Sequence, residues 1–154
     1  MNRIDLLREW KGQVDDYTLR LTGAVPEALA DFRPSPKQFT CLELIRHLAD
    51  DDWGMSGDLI RNLNLVDDRP KLNWGKSVLE SREVLKETLR FSDTVLRTLS
   101  EDDLDKPVDI PGLNITVTVV RIVKAMIEHQ LHHRGQLITY LRLNDLDFPL
   151  RWEE

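Results

Sequence analysis

His129 and His133 stand one helical turn apart in the stretch Glu128-His-Gln-Leu-His-His-Arg-Gly-Gln136. Val119, Ile122 and Met126 lead into the same stripe and Tyr140 leaves it, at steps of three and four that mark one side of a helix. Two imidazoles therefore occupy a seam where aliphatic side chains belong. Burying polar rings without partners costs about 1–3 kcal/mol each, so something has to satisfy them. A divalent cation is the sharpest candidate. The chain has four histidines, and a third, His47, lies four residues before Asp51 on another helical segment. Three imidazoles on one cation, with the remaining positions left to water or substrate, make an open site of the catalytic kind, able to activate a nucleophile. His132 lies off the seam and caps, packs or meets solvent.

Other metal grammars do not fit. A zinc-protease helix needs Glu directly after its first His as general base, and that place holds Gln130. Di-iron bundles carry Glu three residues before a His ligand, an arrangement that none of the four histidines has. Neither a Cys-x-x-Cys-His haem attachment nor a Gly-rich phosphate loop is present. The pattern is mononuclear and His-based. A single buried His is usually a hydrogen-bonded core residue. The pair on one face, with a third beside an acid, is what points to ligation.

Such a site has to be assembled from facing helices. Ile4, Leu7, Val14, Tyr17 and Leu21 follow helical spacing and Gly23 with Pro26 ends the segment, which gives a first helix over residues 3–22. Thr40 and Glu43 form a capping-box signature, with Phe39 and Leu44 placed as a hydrophobic staple, and open a second helix over 41–62. Its stripe is Leu44, Leu48, Asp51, Met55 and Leu59, so an acid intrudes on the seam near His47. Asp50 and Asp52 on either side read as the solvated face. Ser77 with Glu80 repeats the capping signature ahead of Leu85, Leu89, Ser92, Leu96 and Leu99, a third helix ending near Ser100. The fourth is placed over 117–143, although Ile115 to Val120 is mostly β-branched and also reads as a short strand. The connections over 24–39, 63–76 and 100–116 exceed the tight turns of a simple up-and-down bundle and allow parallel neighbours.

At 154 residues, 41% hydrophobic and 31% charged, with 7 Gly and 7 Pro, the composition suits one helical domain. A net charge of −6 without a basic stripe argues against nucleic acid. The N-terminal segment lacks the apolar core of a signal peptide, and no apolar run approaches the ~18 residues of a membrane span, so a cytoplasmic protein is expected. The single Cys41 cannot form an internal disulfide and is too few for a thiolate zinc site. It reads as a small packed residue.

His47 within Glu43-Leu-Ile-Arg-His-Leu-Ala-Asp50, together with His129-Gln-Leu-His-His-Arg-Gly-Gln-Leu137, resembles the DinB-like (YfiT-like) superfamily of metal-binding helical bundles. The resemblance covers nearly the whole chain, and the His-x-x-x-His followed by Arg-Gly-Gln is its most specific part. It implies an all-α, up-down-down-up four-helix bundle that often dimerises. It also implies that His47, His129 and His133 bind a divalent metal, commonly zinc or nickel. Members with known activity look like thiol-dependent enzymes, which implies a low-molecular-weight thiol acting as a transferase nucleophile on small-molecule electrophiles.

Asp51 reads either as an acid, base or orienting group for His47, or as an ion pair at a wet seam. Gln136 and Tyr140 continue the histidine face and are candidates to hydrogen-bond a ligand, or simply satisfy a polar core. Gly135 in mid-helix suggests close approach of another helix, and Arg134 a salt bridge or interface. Three readings stay open: a metal-dependent thiol S-transferase or hydrolase, a metal-binding module without turnover serving as structure or sensor, and a plain helical interaction protein.

Overall fold

The computed structural model describes residues 1–152. Four long helices, α1 (Arg3–Gly23), α2 (Cys41–Leu63), α3 (Val78–Thr98) and α4 (Val119–Leu143), carry most of the chain. Each of the first three starts where a side chain satisfies an amide that has no helical partner. Asn2 accepts from the Asp5 amide, and both Thr40 with Glu43 and Ser77 with Glu80 form full capping boxes. Their boundaries match the expected ones closely.

The entrance to α4 differs. Ile115–Thr118 forms a strand, β2, that pairs antiparallel with β1 (Pro107–Ile110), Pro107 lying opposite Thr118 and Ile110 opposite Ile115. The β-branched run takes the pleated form because a partner strand is within reach across the Pro111–Asn114 turn, and the helix starts at Val119 instead of residue 117. Asn114 sits at φ 52°, a left-handed conformation that Asn tolerates. The fold is a four-helix bundle with one small hairpin.

The polar contacts orient the helices. Arg8, near the start of α1, donates to the carbonyls of Leu96 and Leu99 at the end of α3, while Arg82 at the start of α3 donates to Leu19 near the end of α1, so these two run antiparallel. Arg46 and Ser81 meet near the starts of α2 and α3, which are parallel. Tyr140, late in α4, donates to the carbonyl of Phe39 just ahead of α2, so α4 opposes α2. The order is up-down-down-up. The parallel α2/α3 step needs the long connection, which Trp53 holds by donating to the Pro70 carbonyl at 2.9 Å while Arg69 stacks on its ring at 3.8 Å.

Apolar side chains gather in two clusters, one around Leu7, Leu59, Leu96 and Met126, the other around Leu21, Leu48, Leu85 and Leu137. A polar layer separates them. Position 11, the missing step in the α1 stripe, is Lys11, and it is 1% exposed. Its ammonium lies 2.8 Å from Asp15, 3.2 Å from Asp52 and 3.1 Å from Ser92. Gln130 donates to Asp15 at 2.6 Å and accepts from Thr18 at 2.7 Å, so all four helices meet in one network. Burial pulls the Lys11 pKa down, yet Asp52 and Asp15 outweigh it and the group stays above its ordinary value.

Three expectations are corrected here. Asp50 is exposed but Asp52 is 1% exposed, because the helical turn carries it into the bundle toward Lys11. A Cβ on Gly135 would meet open space, so no helix approaches closely there. Arg134 is buried against α1 with its guanidinium 4.8 Å over the Tyr17 ring, and no carboxylate pairs with it among the described residues.

Replacing Lys11 with Met leaves two carboxylates buried without their cation. The expected loss is about 3–5 kcal/mol of folding stability, partly recovered when Asp52→Asn is added. Urea denaturation of the two variants measures both values.

Candidate metal centre

Antiparallel packing of α2 on α4 brings His47 opposite His129 and His133, which the turn of α4 places one above the other. The three rings form a triangle with centroids 4.3–4.8 Å apart. One ring nitrogen of each lies within 4.8 Å of the others, and the Nε2 atoms of His47 and His129 are 3.1 Å apart. Two nitrogens bound tetrahedrally to a zinc-sized ion at 2.0–2.1 Å would be separated by about 3.3 Å. The His47–His129 pair already has that spacing, and His133 lies close enough for a small inward movement to complete a three-nitrogen site on one divalent cation.

The surroundings prepare these nitrogens. Nδ1 of His133 lies 2.6 Å from Oε1 of Gln136; facing a carbonyl oxygen it carries the proton and donates, which frees Nε2 for the cluster. Asp51 brings Oδ2 to 2.8 Å from His129 Nε2 and Oδ1 to 3.5 Å from His47 Nδ1. His129 Nε2 thus lies within hydrogen-bond distance of both the Asp51 carboxylate and His47 Nε2. Phe39, seen in the sequence only as a staple, lays its ring 4.7 Å from His47 and 6.3 Å from His133. It lines the cluster beside these two imidazoles.

Burial lowers the His133 pKa to about 4, with the Gln136 bond opposing and the other imidazoles assisting. His47 is also lowered, by burial first, against the pull of Asp51. Both are neutral at neutral pH, the form that ligates. Asp51 stays below the ordinary carboxylate range, since the hydrogen bond from His129 and the nearby imidazoles outweigh its burial. The site is not sealed: the side chains of His47, His129 and Asp51 keep 26%, 17% and 38% of their exposure.

Of the residues singled out in the sequence, His47, His129, His133, Asp51 and Gln136 converge. Tyr140 does not join them: it is 1% exposed, and its hydroxyl is committed to the Phe39 carbonyl at 2.9 Å, so it anchors the Phe39 segment. His132 is exposed, its ring 4.8 Å from that of His133. Cys41 is fully buried, and burial pushes its thiol up to about 11, far from a reactive thiolate. Sequence reasoning missed the Lys11 network that flanks the centre through Gln130, next to His129, and Asp52, next to Asp51. The signal was there, as the polar interruption of the α1 stripe.

The sequence model of the DinB superfamily matches residues 12–137. The chain belongs to the DinB superfamily. Among solved structures, this DinB protein is similar to a DinB-like protein (YjoA) of Bacillus subtilis, with a TM-score of 0.76 at 16% identity over 97% of this chain and 99% of the other. A DinB-like protein of Bacillus cereus superposes with a TM-score of 0.70 at 16% identity, covering 90% and 91% of the two chains. YfiT of Bacillus subtilis, described as a probable metal-dependent hydrolase with an unusual four-helix bundle topology, gives a TM-score of 0.77 at 15% identity, covering 94% and 89%. At these identities the likeness speaks for the fold. No curated protein matches the sequence. No helix among the described residues is long and apolar enough to cross a membrane.

The lowered His133 pKa has a sign in stability. Unfolded, the imidazole takes up a proton near 6.5; folded, it does so only near 4, so its contribution is intact above 6.5 and is lost as pH falls to about 4. Metal-free protein should therefore weaken on acidification through this window, and His133→Gln should weaken less steeply. Urea midpoints at stepped pH values check the difference; parallel slopes would contradict it.

Proposed function

We propose that this DinB protein is a mononuclear metal-dependent enzyme. His47, His129 and His133 hold one divalent cation, zinc or nickel, and Asp51 serves as proton acceptor. The observation that carries this reading is the convergence of three imidazoles, two of them held neutral, in a cluster still open to solvent. A structural site is normally closed by a fourth protein ligand, whereas a catalytic one keeps a free position. When bound, the cation would lower the pKa of a coordinated thiol or water and make it nucleophilic at neutral pH.

The chain's own residues supply the rest. Gln136 fixes the tautomer and plane of His133. Asp51, ionised at neutral pH and within 2.8 Å of a ligating nitrogen, is placed to receive the proton that the nucleophile gives up. Phe39 offers an apolar wall to a small organic electrophile. In this reading the nucleophile is a low-molecular-weight thiol and the reaction an S-transfer, with a small-molecule substrate and a homodimeric enzyme. Hydrolysis is the second reading, favoured by a carboxylate suited to deprotonating water and by the description given to YfiT.

Zinc- or nickel-loaded protein should conjugate a reactive aryl halide to added thiols. His129→Ala should fall to background, and Asp51→Asn should lose about 10²-fold or more in kcat. A metal-dependent rate on an activated ester without thiol would favour hydrolysis instead. No metal-dependent rate on either substrate would contradict an enzymatic role.

A further inference from the structure

We infer that the metal centre continues into a subsite for the anionic end of a small-molecule ligand, held by Arg33 and Lys37. This rests on the metal reading above and names the class of ligand it serves. A cavity of about 330 Å³ adjoins the histidine cluster and shares two walls with it. Phe39, one wall, lies against His47 and His133, and Gln136, another, bonds His133. The volume falls at the small end of ligand pockets, enough for a short organic acid.

Its charge is what selects the ligand. The cavity is lined by Arg33 and Lys37, and neither side chain has a hydrogen-bond or ion-pair partner among the described residues. Glu43, the acid that also lines it, is committed to its capping box and accepts from the Thr40 amide at 2.8 Å. Two unpaired cations against one committed carboxylate give this cavity an excess of positive charge in a chain of net charge −6. A guanidinium offers a carboxylate two parallel hydrogen bonds, and an ammonium adds a point charge.

The segment that carries the two cations is also held in place. Cys41 N–H donates to the Phe32 carbonyl, Gln38 N–H to Ser35, and the Tyr140 hydroxyl to Phe39, with lengths of 2.9–3.1 Å. Arg33 and Lys37 thus project from an anchored loop. A ligand lying on Phe39 has its reactive end at the histidines and its carboxylate at the mouth.

The test uses cobalt-loaded protein and two probe series of matched length, ω-mercaptocarboxylates and ω-mercaptoalcohols, read by the thiolate-to-cobalt charge-transfer band. At the best-fitting length the carboxylate should bind about tenfold tighter or more. The exposed double variant Arg33→Gln/Lys37→Gln should erase that preference, leaving cobalt uptake and alcohol binding unchanged. Equal binding of acid and alcohol in the parent, or a preference that survives in the variant, overturns the subsite while the metal reading stands. Failure to take up cobalt overturns the metal reading and the subsite with it.

Discussion

Lys11 sits in the middle of α1 with its ammonium sealed between helices, and a charge so placed dictates what surrounds it. Desolvation is tolerable only if every donor finds an acceptor, which Asp15, Asp52 and Ser92 provide from three helices. Gln130 then ties α4 to the same node through Asp15 and Thr18. The two apolar clusters on either side would accept many small rotations of a helix, because aliphatic packing is only weakly directional. A hydrogen-bonded charge accepts few. Asp52 adjoins Asp51 and Gln130 adjoins His129, so the network that sets the rotation of α2 and α4 also aims the residues of the candidate centre.

The centre itself sets burial against solvation. Desolvation keeps His133 and His47 neutral, which is what ligation needs, while the carboxylate of Asp51 at the open side stays charged. His47 and Asp51 face the seam from α2, and His129 and His133 from α4, which runs against α2. α1 and α4 run parallel, as do α2 and α3, and of the three connections the one between α2 and α3 has to carry the chain back along the bundle.

Much of this was legible in the residues. Caps at Thr40 and Ser77 marked helix starts, and the stripe through His129 and His133 marked the centre, because both depend on spacing within one helix. What lay outside reach depended on partners far along the chain. Ile115–Thr118 became a strand because Pro107–Ile110 was available to pair with it. Asp52 turned inward because Lys11 awaited it, and Arg134 turned to Tyr17 rather than to an acid. Tyr140 shared the histidine face yet met the Phe39 carbonyl, a contact that only the α2/α4 crossing creates. Periodicity identifies a face; which group it meets is a tertiary fact.

X-ray absorption at the metal edge of the zinc-loaded protein tests the central claim most directly. The account predicts one zinc per chain, bound by three imidazole nitrogens at about 2.0–2.1 Å with a further oxygen or nitrogen ligand completing the shell, and loss of that signature in His129→Ala. Zinc bound without imidazole scattering, or bound equally well after that substitution, would contradict it.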